Sequence, residues 1–329
     1  MLNCLPSKLL PQGVKLEDVP CPHGCPDGDT MLFDAADRIN GLPGRFTLVR
    51  CNCCGLVRTN PRPTAETMGF YYPDNYGPYM GTKVTIERRG LSKALRGAVR
   101  RLIDFRAHKV PNLSSGKALE IGCASGGFLA KLSSYGWSVT GLEFSPTAAV
   151  AARQQGFNVI QGALEDVNLP KETFDLVVGW MVLEHLHHPI TALRKLHEAA
   201  KPGAWLVLSV PNCTGGLQQF GPDWFPLHVP NHLFHFSRET LGKLLQAGGW
   251  EIRRCMQQRV LIDWPLSMAL KLQSRNLLPW LSGMLLQLPN GAGGLVFNVL
   301  CYPLAVVQAA RGKGSRMTVW AKRKDAIDC

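Results

Sequence analysis

A glycine-bearing turn and a downstream acid could together bind a nucleoside. Residues 118–127 read Ala-Leu-Glu-Ile-Gly-Cys-Ala-Ser-Gly-Gly, and Glu143 ends a second apolar run 21 positions after Gly122. In a doubly wound sheet, such a turn lets the backbone approach the ligand, and such an acid accepts hydrogen bonds from ribose hydroxyls. Ala124 breaks the G-x-G-x-x-G spacing that suits a dinucleotide pyrophosphate. The remaining E-x-G-x-x-x-G pattern therefore predicts a different nucleoside ligand.

Histidines supply the candidates for proton transfer. Six of the nine fall in two clusters, namely His185, His187 and His188, and then His228, His232 and His235. Each cluster follows an apolar run, and the carboxyl ends of strands are where a doubly wound sheet keeps its ligands. We predict that His185 is the first candidate for a general base and His232 the second, since imidazole exchanges protons near neutral pH. The alternative is that these histidines only cap or anchor their loops.

Four cysteines in two short pairs could hold a metal. The pairs are Cys21-Pro-His-Gly-Cys25 and Cys51-Asn-Cys-Cys54, separated by segments that can form short strands. Two such knuckles can supply the four thiolates of a tetrahedral structural zinc site. We predict the ligands Cys21, Cys25, Cys51 and Cys54, with Cys53 competing for the last position. The alternative is a set of ordinary thiols.

The elements that must position these residues follow from the apolar pattern. Strands are predicted at 118–121, 138–143, 157–161, 174–179, 204–210, 250–259 and 316–324, with helices starting near residues 127, 147, 190 and 238. This alternation predicts an α/β fold with a doubly wound, mostly parallel seven-stranded sheet. Ser237 is predicted to cap the helix near 238. The last strand is predicted to be antiparallel and at the sheet edge.

The ordered motifs resemble class I S-adenosylmethionine-dependent methyltransferases from about residue 118 to about residue 250. Further matching blocks are Leu142-Glu143-Phe-Ser-Pro and the segments 161–166, 174–185, 201–212 and 232–250. The resemblance implies a Rossmann-like methyltransferase fold and S-adenosylmethionine as cofactor. It implies cofactor-binding roles for Glu120, Gly122, Cys123, Gly126, Glu143, Phe144, Ala163, Leu164, Glu165 and Met181. Glu184-His185 also resembles part of a divalent-metal site of ubiquinone-pathway O-methyltransferases, although Met181 stands where that site has an acid.

Two segments fall outside this core pattern. Between Lys83 and Lys109, nine basic residues against two acids give a net charge of +7, out of +12 for the chain. Such a basic amphipathic helix could meet a phosphorylated ligand, an anionic membrane or RNA, or could simply be solvated. The segment 70–79 holds four of the six tyrosines, which either close over a ligand or attach the amino-terminal module.

A long apolar stretch precedes the last strand. From Trp264 to Ala310 only Lys271 and Arg275 are charged, and prolines divide the stretch into pieces shorter than a membrane span of about 18 residues. Three alternatives remain open: a buried helical cap on the substrate side, a hairpin lying on a membrane surface, and a true span.

These observations divide the chain into five parts. They are a zinc-knuckle module (1–60), an aromatic linker with a basic amphipathic helix (61–110), a cofactor-binding domain (111–260), an apolar helical insertion (261–313), and the final strand with a tail (314–329). A hydrophobic content of 46% with 18% charged residues indicates a globular protein. The amino terminus lacks a secretory apolar run, so we expect a cytoplasmic protein with a possible peripheral membrane contact.

The predicted function is methyl transfer from S-adenosylmethionine, preferably to oxygen, on a small-molecule or glycan- or lipid-linked acceptor. An alternative is an rRNA or tRNA methyltransferase that uses the basic helix and the zinc module, although no Asn/Asp-Pro-Pro-Tyr/Phe motif of base-amine methylation occurs. A third hypothesis is a non-catalytic scaffold that binds the cofactor. No motif identifies the acceptor.

Overall fold

A computed structural model describes residues 10–73, 110–259, 261–288, 296–297 and 299–324. Within these ranges the strands are β1 (Leu16–Glu17), β2 (Asp29–Ala35), β3 (Phe46–Cys51), β4 (Val57–Thr59), β5 (Arg62–Pro63), β6 (Lys117–Ile121), β7 (Ser138–Glu143), β8 (Asn158–Gln161), β9 (Phe174–Trp180), β10 (Ala200–Pro211), β11 (Phe234–His235), β12 (Trp250–Gln257) and β13 (Arg316–Arg323). The α-helices are α1 (Gly127–Ser133), α2 (Pro146–Gln154), α3 (Pro189–Ala199), α4 (Gly216–Phe220), α5 (Arg238–Ala247), α6 (Asp263–Ser274), α7 (Pro279–Gln287) and α8 (Tyr302–Ala310).

The predicted seven-stranded sheet is confirmed. Its strand order is β12-β13-β10-β9-β6-β7-β8, and all neighbours from β10 to β8 pair in parallel. The sheet extends one way through β7 and β8 and the other way through β9 and β10, so its direction of winding reverses between β6 and β9. Ligands of doubly wound sheets bind at this switch point.

The last strand is antiparallel, as predicted, but its predicted place at the sheet edge is wrong. β13 pairs with β10 on one side and with β12 on the other, so β12 forms the edge. On β13 the side chains of Met317, Val319 and Ala321 are buried. An interior position suits such a strand, because at the sheet edge the backbone N–H and C=O groups along one side of it would be unpaired.

Local sequence signals account for the helices beside the sheet. At α5 the Ser237 side chain accepts a hydrogen bond from the Thr240 backbone N–H, and the Thr240 hydroxyl accepts one from Ser237 N–H. This capping box satisfies two donors that a helix start leaves open, and it confirms Ser237 as the N-cap. On β6, Ala118, Leu119 and Ile121 are all buried, as expected for a parallel strand covered by helices on both faces.

The amino-terminal segment is joined by a shared sheet to the part of the chain that forms the seven-stranded sheet. Strands β2, β3 and β4 form an antiparallel meander, and β11 joins it to give the order β11-β4-β3-β2. A small second sheet pairs β1 with β5. Because β11 belongs to a loop of residues 111–260, the shared sheet fixes the amino-terminal segment against that part of the chain.

The apolar segment forms three described helices. α6 is largely buried, whereas α7 and α8 expose several large apolar side chains. Among the described residues, no helix is both long enough and apolar enough to cross a membrane. The predicted basic helix between Lys83 and Lys109, and the tyrosines at 76 and 79, lie outside the described residues.

Candidate active site

A cavity of about 630 Å³ opens at the switch point of the sheet. One wall comes from the ends of β6, β7 and β9 and from the loop after β8. From the predicted cofactor-binding set it contains Gly122, Glu143, Phe144, Ala163, Leu164, Glu165 and Met181. Glu120, Cys123 and Gly126 are not among the lining residues, and Glu120 is buried beneath the turn.

Glu143 is held in place by the backbone around it. Its Oε2 accepts a hydrogen bond from Ala124 N–H and its Oε1 accepts one from Ser145 N–H, both at 2.8 Å. Burial raises the pKa of the Glu143 carboxyl, and these backbone donors offset part of that rise. Each oxygen keeps a further acceptor position, and the residue lines the cavity, so two ligand hydroxyls could be bound side by side.

The glycine turn brings the backbone close to the cavity. Gly122 has φ +65°, and a Cβ there would lie 2.6 Å from Cγ2 of Val182, so any side chain at this position would collide with the β9 loop. Ala124 also lies in the left-handed region, with φ +46°. The turn keeps this shape with alanine at 124, at the modest conformational cost of a non-glycine residue there.

The opposite wall carries histidines from two loops. His185 and His232 have ring centroids 4.7 Å apart, and His228 lies 4.9 Å from His232. All three line the cavity. His185 Nδ1 lies 2.9 Å from the Asn231 carbonyl oxygen, and His232 Nδ1 lies 2.9 Å from the Pro226 carbonyl oxygen. Because a carbonyl can only accept, both Nδ1 atoms carry the proton and both Nε2 atoms offer a lone pair.

Burial keeps the imidazoles of this wall uncharged. It lowers the pKa of His185 to about 3 and that of His228 to about 4, and it lowers the pKa of His232 well below its usual value. All three imidazoles are therefore neutral at pH 7, and His185 and His232 can accept a proton through Nε2.

Glu184 is the buried acid beside these histidines. It is fully buried, and neither carboxylate oxygen accepts a hydrogen bond from another described residue. Burial raises its pKa to about 8. One ligand atom each from Glu184, His185 and His232 lie within 4.8 Å of one another. The metal site that Glu184-His185 resembles has a further acid at the position of Met181, and Met181 offers no carboxylate. The ligand set of that metal site is therefore not reproduced here.

The linker after β5 completes the histidine wall. The Tyr72 hydroxyl lies 2.9 Å from His185 Nδ1, and Asn231 Nδ2 donates to the Tyr71 carbonyl at 2.7 Å. Tyr71 itself is buried and donates its hydroxyl proton to the Pro43 carbonyl. The two sequence-based alternatives for the tyrosines thus apply to different residues: Tyr71 attaches the module, and Tyr72 lines the cavity.

The cysteine pairs converge at the far end of the amino-terminal sheet. The sulfurs of Cys21, Cys25, Cys51 and Cys54 all lie within 4.8 Å of one another, with 3.5 Å between those of Cys21 and Cys54. Four sulfurs each about 2.3 Å from one zinc would be about 3.8 Å apart, so the donor set fits tetrahedral zinc. Cys53 is exposed and outside this group.

Several residues of the histidine wall had no sequence signal. Met68, Phe225, Pro226 and Arg316 line the cavity from three separate segments, and the sequence motifs assigned none of them to the site. Their assembly depends on long-range packing. Glu184 could have been noticed as an acid at the end of an apolar strand, but its isolation from hydrogen-bond donors is a property of the folded chain.

The fold and the cavity together define an α/β protein that binds a nucleoside-type ligand at a sheet switch point. Residues 91–254 match the family model described as a methyltransferase domain. This match agrees with the class I S-adenosylmethionine-dependent methyltransferase domain that the motifs predicted.

Curated relatives carry related names. The chain is 36% identical to the mitochondrial ubiquinone biosynthesis O-methyltransferase of Schizosaccharomyces pombe over 105 residues, covering 29% of this chain and 38% of that protein. It is 27% identical to a probable S-adenosylmethionine-dependent methyltransferase of Mycolicibacterium smegmatis over 156 residues, covering 45% of this chain and 59% of that protein. The chain thus spans less than two thirds of either relative.

A solved structure supports the fold. The crystal structure of the [4+2]-cyclase SpnF superposes with a TM-score of 0.51 at 18% identity, covering 80% of this chain and 98% of that one. That protein is named as a cyclase, so the fold does not by itself determine the reaction.

Proposed function

We propose that the protein transfers a methyl group from S-adenosylmethionine to an oxygen atom of a small-molecule or glycan- or lipid-linked acceptor. The observation that carries this proposal is that a single cavity has a ribose-type carboxylate on one wall and neutral imidazoles on the other. A donor bound at Glu143 and an acceptor hydroxyl placed beside His185 would share that cavity. The relatives named as ubiquinone biosynthesis O-methyltransferases favour oxygen as the methylated atom.

The cofactor wall would bind and orient the donor. S-adenosylmethionine, when bound, supplies an electrophilic methyl group and its own leaving group. Glu143 would accept hydrogen bonds from the ribose hydroxyls, and the backbone at Gly122 would lie against the ligand because no side chain intervenes. Ala163, Leu164 and Glu165 would bracket the adenine. Glu120, Cys123 and Gly126 would act from outside the cavity lining by shaping the turn.

The histidine wall would remove the acceptor proton. His185 offers an Nε2 lone pair, and its ring is oriented by the bond from Nδ1–H to the Asn231 carbonyl. His232 holds the same tautomer one ring away and would be the second acceptor of that proton. A neutral imidazole of low pKa is a weak base. It removes the proton as the acceptor oxygen forms its bond to the methyl group, because the hydroxyl becomes more acidic at that point. A phenolic or other mildly acidic hydroxyl therefore suits such a base.

Zinc would have a structural role. We assign one zinc ion to Cys21, Cys25, Cys51 and Cys54, supported by the grouping of their sulfurs. Burial raises the pKa of Cys51, but hydrogen bonds from the backbone N–H groups of Cys54 and Cys53 and from the Cys54 and Cys21 thiols together lower it to about 7, which favours a thiolate ligand. The domain division and a cytoplasmic location stay predictions. An RNA acceptor is the second possibility, and its main support, the basic stretch, lies outside the described residues.

The experiment is methyl transfer with labelled S-adenosylmethionine and a series of phenolic and lipid-linked acceptors. We expect His185→Gln to lower kcat by about 10²- to 10⁴-fold, the usual contribution of a general base. The affinity for S-adenosylhomocysteine, measured by calorimetry, should stay the same, because His185 lies on the other wall. Transfer by the wild type with and without an added divalent cation tests the cation alternative at Glu184, since a chelator would also remove zinc from the cysteine group. Full activity of His185→Gln would contradict the proposed base.

A further inference from the structure

We propose that α7 and α8 dock the protein on an anionic bilayer surface, so that the cavity receives an acceptor held in that bilayer. This inference rests on the proposed function for the acceptor, but the docking surface stands on separate observations. We call the exposed side chains of α7, α8 and the residues directly before them the apolar surface.

The apolar surface exposes more large hydrophobic side chains than any other described part of the chain. Nine of the seventeen exposed large hydrophobic residues fall between 277 and 307. Trp280 is 69% exposed and Leu304 is 53% exposed. On α7, Trp280 and Met284 are one turn apart, and on α8, Leu304 and Val307 share a helix face. Scattered apolar residues are ordinary on a protein surface, but this concentration indicates a binding surface.

All charged residues of the segment that carries the apolar surface are basic. From residue 264 to residue 313 the chain has four basic residues, Lys271, Arg275, Arg311 and Lys313, and no acid. The neighbouring acid, Asp263, is buried and paired with Arg316 at 2.9 Å. Arg311 follows Val307 by one turn on α8, so a cation stands next to exposed apolar groups. An anionic lipid surface matches both the apolar side chains and the flanking cations. An acidic partner would match only the cations, and a neutral apolar partner would match only the apolar side chains.

Both helices are short enough to lie in the interface. Each has nine residues and is therefore about 13 Å long. Trp280 at the start of α7 is the residue type most enriched at the boundary between headgroups and acyl chains. An in-plane orientation of each helix would insert its own exposed side chains and leave the exposed Arg275, Arg311 and Lys313 at the headgroups.

The apolar surface is one helix away from the cavity. α7 packs directly on α6. On its other side α6 supports the turn Phe225–Leu227, since Ser267 Oγ accepts a hydrogen bond from Phe225 N–H at 2.9 Å. Phe225 and Pro226 line the cavity. Docking through α7 would therefore hold the histidine wall close to the bilayer, where a lipid-linked acceptor is available.

The test is flotation of the full chain with vesicles of equal parts phosphatidylglycerol and phosphatidylcholine, beside vesicles of phosphatidylcholine alone. We expect binding to the anionic vesicles at low salt and partial release as salt screens the charges. The double variant Trp280→Glu/Leu304→Glu should bind at least about tenfold more weakly. Tyr135→Glu is the matched control: Tyr135 is 67% exposed in the turn after α1, and its replacement should leave binding unchanged.

Three results would overturn the inference. They are no flotation of the wild type, equal flotation of the double variant, and a wild-type dimer that the double variant converts to a monomer without any lipid binding. The last result would assign the surface to a second copy of the chain. Flotation needs no turnover, so vesicle binding without methyl transfer would contradict the proposed function alone. Transfer to a soluble acceptor without vesicle binding would contradict only the docking.

Discussion

Glu143 is the residue for which sequence and structure converge most closely. The motif placed it at the end of a strand beside a glycine turn, and the structure adds two backbone donors that fix its carboxylate. Only the folded chain shows these two hydrogen bonds, because they depend on how the turns after β6 and β7 bring Ala124 and Ser145 to Glu143. Because the carboxylate oxygens are already held in place, ribose binding would cost less side-chain entropy at Glu143.

Replacing Glu143 should weaken cofactor binding. We expect Glu143→Ala to reduce S-adenosylhomocysteine affinity by about 1–3 kcal/mol, since two ligand hydroxyls would lose their acceptor. Glu143→Gln should have an intermediate effect, because one side-chain oxygen can still accept. Calorimetry measures both, and thermal unfolding checks that the turn survives. Glu198→Gln, a change at an exposed residue, is the control. Unchanged affinity of Glu143→Ala would remove the ribose assignment.

Glu184 should make stability depend on pH. Its pKa is raised by burial to about 8, above the value near 4.5 expected in the unfolded chain. Between these values the folded protein binds the additional proton, so the free energy of unfolding falls as pH rises through this window. We expect Glu184→Gln to match the wild type near pH 5 and to be more stable by about 1–3 kcal/mol near pH 9. Denaturant unfolding at several pH values measures this.

A flat pH difference between wild type and Glu184→Gln would contradict the burial argument. The variant keeps the shape of the side chain, so packing changes are small. Glu198→Gln again serves as the control, because a partly paired surface carboxylate has little effect on stability across this range.

At the scale of elements, the sheet was readable because its strands are buried on both faces. The predicted strand 138–143 agrees with β7 in both bounds, and 174–179 is one residue shorter than β9. Continuous apolar runs between turn signals are the expected pattern of such strands. β10 begins at Ala200 rather than at 204, since its first residues, a Lys-Pro-Gly turn among them, carry no apolar pattern.

β11 could not be read in the same way. It has two residues and pairs with β4, about 175 positions earlier in the chain. No periodicity can be measured in two residues, and the register is set by packing and by hydrogen bonds such as that from Thr59 N–H to the Leu233 carbonyl. β13 is long enough for its pattern to be read, but its interior position in the sheet depends on which strand pairs with its outer side.

At the scale of the whole molecule, the two walls of the cavity differ in how they are built. The cofactor wall comes from one stretch, residues 121–181, in which strand, turn and acid follow in sequence, so the sequence predicted most of it. The histidine wall joins residues 65–72, 185–188 and 225–232 with Arg316. Only the packing of distant segments brings these together, which is why the acceptor side was limited to candidate histidines.

The last prediction concerns how the cysteine group acts on the distant histidine wall. Thr59 on β4 donates its hydroxyl proton to the His232 carbonyl at 2.9 Å, and Arg62 donates to the His187 carbonyl at 3.0 Å. Loss of zinc should loosen β3 and β4 and therefore the loops that hold both candidate bases. We expect Cys54→Ser to lower zinc content below the one ion per chain expected of the wild type. It should also lower kcat while cofactor affinity changes little, because no hydrogen bond between described residues joins β3 or β4 to the cofactor wall.

Cys53→Ser provides the matched control for this prediction, since Cys53 is the adjacent thiol but is exposed and outside the sulfur group. It should leave both zinc content and kcat unchanged. Metal analysis, calorimetry and labelled transfer on the same preparations separate the possible outcomes. A wild type without zinc would remove the metal assignment. Zinc loss with full activity would mean that the β4–β11 pairing holds the histidine wall without help from the metal. Zinc loss together with lost cofactor affinity would mean that the module stabilises the whole domain rather than the acceptor side.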